Sequence, residues 1–192
     1  MKYYLDITLL PDTEANIGFI WQKVYSQVHL ALVDKKLPNG QSAIAVSFPD
    51  YGAGAFPLGN KLRLFAATSE KLERLNLDEW LNRLRDYTHY TSIKEVPSSV
   101  EQHVRFRRVQ FDTNIERLAR RRAKRKNESM ETALAHYSGF KDRQSKLPFV
   151  NIQSLSKGER FRLFIEREFL SQPVVGGFSC YGLSTAATVP WF

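Results

Sequence analysis

The alternation of apolar and polar residues predicts strands and helices in a definite order over the first half of the chain. Tyr3 to Leu10 alternates as a half-buried strand does, and helical spacing extends from about Glu14 to Val33 and again from Ser69 to Tyr87. Further strand patterns cover residues 43–48, 62–66 and 92–96. The resulting order, βαββαβ, is that of the ferredoxin-like split βαβ arrangement.

The second half continues the mixed pattern. Val104 to Phe111 alternates as a strand, and Thr113 and Glu116 form a capping box that starts a helix running to about Lys126. A short amphipathic helix follows, and strand patterns return at residues 149–154 and 161–166. We therefore expect an α+β protein with an N-terminal ferredoxin-like domain over residues 1–98. The remainder, 99–192, is expected to be a C-terminal α/β half with an arginine-rich helix.

Positive charge is concentrated in one segment of this chain. Residues 105–126 contain ten Lys or Arg against the two acids Asp112 and Glu116, an excess that equals the formal net charge of +8 of the whole protein. Neutralising phosphates releases condensed counterions and favours binding, so a polyanionic partner is the first interpretation.

The predicted helix carries this charge mainly on one side. At about 100° per residue, the basic residues that share a face are Arg117, Arg120, Arg121, Lys124 and Arg125. A solvated charged face is the alternative, but cations of one sign repel one another unless a partner neutralises them. On the preceding strand, Arg108 and Gln110 face the same way and are candidates for reading base edges, with ordinary solvent-facing strand residues as the alternative.

Cysteine content and hydropathy bear on the compartment. The single Cys180 excludes an intramolecular disulfide, fits a reducing compartment and is expected to be a small buried core residue. No apolar run approaches the ~20 residues of a membrane helix, and the chain opens on a strand pattern instead of a signal peptide. We expect a cytoplasmic protein without a membrane partner.

The residues with reactive side chains suggest no metal or cofactor. His29, His89, His103 and His136 are widely separated, and no acidic cluster suggests a two-metal nuclease. If RNA is cut, the ribose 2′-hydroxyl can attack its own phosphate with the help of a base. His29, on the border of the first helix's apolar face, is the best candidate base. A structural role is the alternative, and the other histidines compete with it.

Several segments together resemble the subtype I-F CRISPR repeat-processing endoribonucleases, the Csy-type branch of the Cas repeat nucleases. They occur in the order found in that family and cover nearly the whole chain. The matching segments are 4–7 (YLDI), His29 with 31–33 (ALV), 46–50 (VSFPD), 108–110 (RVQ), 116–118 (ERL), 147–150 (LPFV), 161–165 (FRLFI), 180–184 (CYGLS) and 189–192 (VPWF).

The resemblance implies metal-independent cleavage at the 3′ base of a CRISPR repeat hairpin, leaving a 2′,3′-cyclic phosphate or its monophosphate product. His29 would be the base, Tyr181 would orient it, and Ser154 would help to hold the ribose, with Ser156 as a competitor for that role. Arg108 and Gln110 would read bases at the foot of the stem, and Phe161 would stack on the terminal base pair.

The resemblance also implies that the arginine-rich helix grips the hairpin. At this helix the chain departs from the family, because Lys124 replaces one groove-facing arginine and Ala119 another. The family resemblance further implies that the protein keeps its product and joins the other Cas subunits of a type I-F surveillance complex. A non-catalytic structured-RNA-binding subunit is the alternative, and a major-groove DNA-binding protein is a third possibility.

Overall fold

The computed structural model describes residues 1–110, 115–137, 146–154 and 158–192. Its helices are α1 (Ile17–Asp34), α2 (Ser69–Glu73), α3 (Leu77–Trp80), α4 (Ile115–Lys126) and α5 (Met130–His136), and a 3₁₀ helix covers Asn82–Tyr87. Its strands are β1 (Tyr3–Leu9), β2 (Ile44–Ser47), β3 (Lys61–Ala66), β4 (Thr88–Tyr90), β5 (Lys94–Glu95), β6 (His103–Val109), β7 (Phe149–Gln153), β8 (Arg160–Leu170) and β9 (Val189–Pro190). The predicted α+β class is confirmed.

The N-terminal strands form an antiparallel sheet in the order β2-β3-β1-β4, and β5 pairs with the start of β1. Alternation along β1 buries Leu5, Ile7 and Leu9 against the core. Asp6, on the other face of β1, is also buried, and its carboxylate accepts two hydrogen bonds from Arg63 of β3, at 2.6 and 2.9 Å. This strand order, with α1 between β1 and β2, fits a ferredoxin-like type of fold.

Helix α1 begins three residues later than its spacing predicts. The carboxylate of Asp12 accepts hydrogen bonds from the backbone N–H groups of Glu14 and Ala15, and so holds them in a turn. The side chain of Asn16 then caps the helix by accepting from the N–H of Phe19. One face of α1 is buried, and the helix also contacts β7 of the second sheet.

The single helix predicted over 69–87 is wrong. The chain instead forms α2, α3 and the 3₁₀ helix in succession, and β4 follows directly. The break lies at Asn76, whose φ of 49° is left-handed and incompatible with a continuous helix. The apolar spacing persists because Leu72, Leu75, Leu77 and Leu81 are buried across the break. Of the residues that helical spacing predicts to be buried, Leu72, Leu75 and Leu81 are buried and Trp80 and Leu84 are half-buried, although the backbone is not one continuous helix.

The second antiparallel sheet has the order β7-β8-β6-β9. Strand β8 continues to Leu170, beyond the predicted end at residue 166, because Glu166 and Glu168 pair with Arg107 and Arg105 of β6. Buried residues of both sheets belong to one hydrophobic cluster, in which the rings of Phe48 and Phe106 lie 5.2 Å apart. The two sheets thus share a core.

By compactness the chain divides into two units. The larger unit comprises Met1–Val109 and Pro148–Phe192, and the smaller unit comprises Gln110–Leu147. In the smaller unit α4 packs against α5, and Ser129 caps α5 by accepting from the N–H of Thr132. The predicted domain boundary at residues 98 and 99 stays a prediction. Within the described residues, no helix has the length and apolarity needed to cross a membrane.

Candidate active site

The imidazole of His29 is held by a segment far away in the sequence. Its Nδ1 lies 2.8 Å from the main-chain carbonyl oxygen of Cys180. Its ring stacks on the ring of Tyr181, with centroids 4.3 Å apart and planes inclined by 8°. The side chain is therefore fixed in both position and plane.

The hydrogen bond to Cys180 also fixes the tautomer of His29. A carbonyl oxygen can only accept, so Nδ1 must carry the proton, and Nε2 of the neutral ring keeps its lone pair. Burial lowers the pKa of His29 below its ordinary value of 6.5, and the hydrogen bond to the Cys180 carbonyl opposes part of that effect. The ring is consequently a neutral base at pH 7.

The segment that holds His29 is itself fixed by the core. The buried hydroxyl of Tyr25, one turn earlier on α1, donates to the carbonyl of Tyr181 at 2.7 Å, and burial raises the pKa of that hydroxyl. The N–H of Val46 on β2 donates to the carbonyl of Gly182 at 2.8 Å. Gly182 has a φ of +70°, and a Cβ there would lie 2.3 Å from a methyl carbon of Val46. Only glycine fits at this point.

A cavity of about 360 Å³ opens beside His29. Ser154, the residue that follows β7, lines the cavity together with Gln22 and Ser26 of α1. The backbone of Ser154 is held by two hydrogen bonds, both 2.8 Å long: its N–H donates to the Glu159 carbonyl, and its carbonyl accepts from the Gly158 N–H. The structure therefore brings His29, Tyr181 and Ser154 together, whereas Ser156 lies outside the described residues.

Arg108 adds a cation to the aromatic cluster that includes Tyr181. Its guanidinium carbon lies 5.6 Å from the ring centroid of Tyr181 and 5.1 Å from that of Phe161, so that it packs against both rings. Phe161 is half-buried at the border of the core. Among the described residues Arg108 forms no ion pair with a carboxylate, which distinguishes it from Arg105 and Arg107.

Not every predicted site residue joins this cluster. Gln110 is exposed and lies beyond the end of β6, so the alternation that would align it with Arg108 does not reach it. His103 contacts the carbonyl of Glu101, and His136 packs against Tyr137, whereas neither they nor His89 lines the cavity.

Sequence reasoning missed three contributors to the site. Cys180 is half-buried instead of a core residue, and its contribution is a main-chain oxygen, which no pattern of residue types can reveal. Gln22 and Ser26 precede His29 by seven and three positions, and so share its side of α1. That polar spacing was the available signal for them.

The basic face of α4 belongs to the smaller unit. The five cations predicted to share this face are all exposed: Arg117, Arg120, Arg121, Lys124 and Arg125. Arg122 differs from them, because it is half-buried and forms an ion pair with Glu128 at 2.6 Å. Within the described chain, none of Arg120, Arg121, Lys124 and Arg125 forms an ion pair with a carboxylate. The predicted capping residue Thr113 falls outside the described residues.

Known proteins resemble this chain over its full length. The family model of a CRISPR-associated protein (Cas_Csy4) matches residues 4–192. A protein of Escherichia coli (strain UTI89 / UPEC) named CRISPR-associated endonuclease Cas6/Csy4 is 36% identical over 193 residues, with 100% of both chains covered. A protein of the same name from Pseudomonas aeruginosa (strain UCBPP-PA14) is 38% identical, again with 100% of both chains covered.

A solved structure described as an RAMP protein binding different RNA substrates is a more distant neighbour. The match covers 98% of this chain and 99% of that one, with 11% sequence identity and a TM-score of 0.35. A likeness at that level supports no conclusion about ligands. The two sequence relatives and the family match are therefore the informative comparisons.

Proposed function

Because the chain belongs to the Cas_Csy4 family of CRISPR-associated proteins, we propose that it is an endoribonuclease that cleaves CRISPR repeat RNA. The observation that carries the proposal is the fixed imidazole of His29, whose Nδ1 lies 2.8 Å from the Cys180 carbonyl beside a cavity lined by Ser154. A neutral base held at the wall of a cavity suits the removal of a proton from a substrate hydroxyl.

The proposed reaction uses the RNA's own ribose as nucleophile. Nε2 of His29 takes the proton of the 2′-hydroxyl before the scissile phosphate, and the 2′-oxygen attacks the phosphorus. The bond to the 5′-oxygen of the next nucleotide breaks, that oxygen takes a proton from solvent, and a 2′,3′-cyclic phosphate remains. The step needs a base and positioning, so we propose that it proceeds without a metal ion.

The neighbours of His29 have distinct proposed roles. Tyr181 keeps the imidazole in plane, and its ring face, 4.3 Å away, stabilises the imidazolium that forms when the proton is taken. Ser154, which lines the same cavity as His29, positions the ribose. Both are half-exposed at the site, in reach of a substrate.

The hairpin would be gripped by charge and by stacking. We propose that the exposed cations of α4 bind the phosphates of the stem, and that Phe161 stacks on its terminal base pair. Arg108, lying against the rings of Phe161 and Tyr181, and Gln110 would read base edges at the foot of the stem. The proposal includes a ferredoxin-like N-terminal domain and retention of the product within a type I-F surveillance complex.

Replacing His29 tests the chemistry. Wild-type protein with its cognate repeat RNA in EDTA is expected to cleave, and His29→Ala is expected to lose about 10²- to 10⁴-fold in rate while still binding the hairpin. His89→Ala, an exposed histidine of β4, is the matched control and should cleave normally. Undiminished cleavage by His29→Ala contradicts the proposal, as does cleavage of RNA with a 2′-deoxy ribose before the scissile phosphate. Recovery of intact RNA from the wild type favours the non-catalytic RNA-binding alternative.

The lowered pKa of His29 predicts the pH dependence. Cleavage should rise with pH, with a midpoint below 6.5, and then level off, because the base must be neutral. The unfolded chain binds this proton more readily than the native protein does. The free energy of unfolding should therefore fall as the pH drops from 6.5 towards the lower native pKa. Single-turnover rates and urea unfolding of wild type and His29→Gln, compared across pH, measure both effects.

A further inference from the structure

The segment that holds His29 is a short loop closed by its own backbone, which we call the 179–182 turn. The N–H of Gly182 donates to the carbonyl of Ser179, and the N–H of Ser179 donates to the carbonyl of Leu183, both at 2.8 Å. Gly182 is left-handed, with a φ of +70°, as glycine is in short hairpin loops. These two bonds engage the carbonyls of Ser179 and Leu183, and they leave those of residues 180–182 to partners outside the turn.

Helix α1 binds the first two of those carbonyls. The Cys180 carbonyl accepts from Nδ1 of His29 at 2.8 Å, and the Tyr181 carbonyl accepts from the hydroxyl of Tyr25 at 2.7 Å. Tyr25 and His29 are four residues apart, so they follow one another along the same face of α1. Both bonds form only if the 179–182 turn stays at a fixed distance from this face.

Strand β2 sets a second limit on the position of the turn. It lies at the edge of the first sheet, and the N–H of Val46 donates to the Gly182 carbonyl at 2.8 Å. A Cβ at Gly182 would lie 2.3 Å from a methyl carbon of Val46, 2.7 Å from its Cβ and 3.0 Å from its main-chain nitrogen. Val46 is buried and its strand is paired with β3, so the turn is the part that would have to move.

We propose that Gly182 is a positioning residue for the proposed base, because the absence of a side chain there lets the Cys180 carbonyl reach His29 and so keeps the proton on Nδ1. The inference rests on the proposed function and deepens it. A Cβ at Gly182 needs about 1 Å more room to reach an ordinary contact of 3.4 Å with Val46. A hydrogen bond of 2.8 Å that lengthens by that much is no longer a hydrogen bond.

Loss of the Cys180 acceptor would disable the base without removing it. A neutral imidazole that carries its proton on Nε2 cannot accept one there, and nothing else described at the ring selects the other tautomer. The ring of Tyr181, which stacks on His29, belongs to the same turn and would move with it. The groups proposed to grip the hairpin, the cations of α4 and the ring of Phe161, lie outside the turn, so binding should persist.

Gly182→Ala tests the inference by a measurement that needs no RNA. The chemical shifts of the two ring nitrogens of His29, recorded in isotope-labelled protein at about pH 8, where the ring is neutral, distinguish the tautomers, and the spectrum of His29→Gln identifies the signals. Wild type should show the proton on Nδ1, and Gly182→Ala should show both tautomers in exchange. With hairpin RNA, Gly182→Ala should cleave about a hundredfold more slowly in saturating single-turnover assays, while its hairpin affinity stays that of the wild type.

Gly52→Ala is the matched control. Gly52 has a φ of +78°, so alanine there carries the same kind of backbone strain, but its Cβ meets nothing within 4 Å. This variant should keep one tautomer and the full rate. A single Nδ1-protonated form in Gly182→Ala overturns the inference. Loss of hairpin binding or of cooperative unfolding in Gly182→Ala also overturns it, since Gly182 would then be a residue of the fold alone. Intact RNA recovered from the wild type would contradict the proposed function, and the tautomer measurement would still decide whether Gly182 fixes the imidazole.

Discussion

The arginines of strand β6 and those of helix α4 are close in sequence but have different partners. On β6, Arg105 and Arg107 lie opposite Glu168 and Glu166 of β8 and form ion pairs with them. The Arg105 guanidinium holds the pKa of Glu168 below its usual range. On α4, by contrast, Arg120, Arg121, Lys124 and Arg125 form no ion pair with a carboxylate among the described residues.

The difference shows that the number of basic residues in a segment does not reveal which of them are already paired with carboxylates. Part of the positive charge of residues 105–126 is neutralised within the second sheet, where cross-strand pairs set the register of β6 against β8. Most of the remainder lies on α4, where Arg122 pairs with Glu128 and the exposed cations of one sign repel each other. Arg108 belongs to neither group, because it lies against the rings of Phe161 and Tyr181.

The largest expected effect comes from removing charge on α4. Arg121→Ala combined with Arg125→Ala should weaken hairpin binding about a hundredfold, because each guanidinium that binds a phosphate should contribute roughly tenfold in affinity. The salt dependence of log Kd should fall by about two units, while the thermal midpoint stays unchanged. Titration of labelled hairpin at several salt concentrations measures this. An unaltered salt slope means that this face points away from RNA.

A smaller and more specific effect is expected at Arg108. Arg108→Ala should cost ~1–3 kcal/mol of binding free energy at the one base pair it reads. Arg108→Lys should restore little of this, because lysine lacks the planar fork. Binding to a panel of single-pair stem variants measures it. A loss shared equally by every stem sequence would make Arg108 only a phosphate-binding residue.

The smallest effect is expected on β6 itself. Arg107→Ala should lower the free energy of unfolding by no more than about 1 kcal/mol, since the pair with Glu166 is partly exposed. Hairpin affinity and its salt slope should remain those of the wild type. Urea unfolding and the same titrations measure both. If Arg107→Ala weakens RNA binding as the α4 variants do, the contrast between the two groups disappears.

Much of the first sheet could be predicted because its signals are local. Alternation placed β1 within one residue of its observed bounds, and the apolar spacing of α1 identified its buried face. The broken helix after Ser69 shows the limit. A left-handed Asn76 interrupts the backbone without disturbing the spacing of buried leucines, so the pattern looks continuous.

The site was partly predictable for a different reason. His29 was placed at the border of the apolar face by helical geometry, and it does lie there, half-buried. The hydrogen-bond acceptor for His29 could not be predicted from residue types. Every residue has a main-chain carbonyl, and only the fold brings that of Cys180 next to the imidazole. The extended β8 was missed likewise, since its cross-strand ion pairs depend on a partner far away in sequence.

The long distance in sequence between His29 and Cys180, whose carbonyl binds the imidazole, bears on when the site forms during translation. The two residues are 151 positions apart, so a nascent chain that has emerged only as far as its first sheet carries an imidazole free to rotate, with Nδ1 and Nε2 interchangeable as proton carriers. The ring acquires its fixed tautomer when the turn at Gly182, which is translated long after the first sheet, docks on Val46. A partly translated chain would thus be inactive, and cleavage would begin only after translation has passed the turn that completes the site.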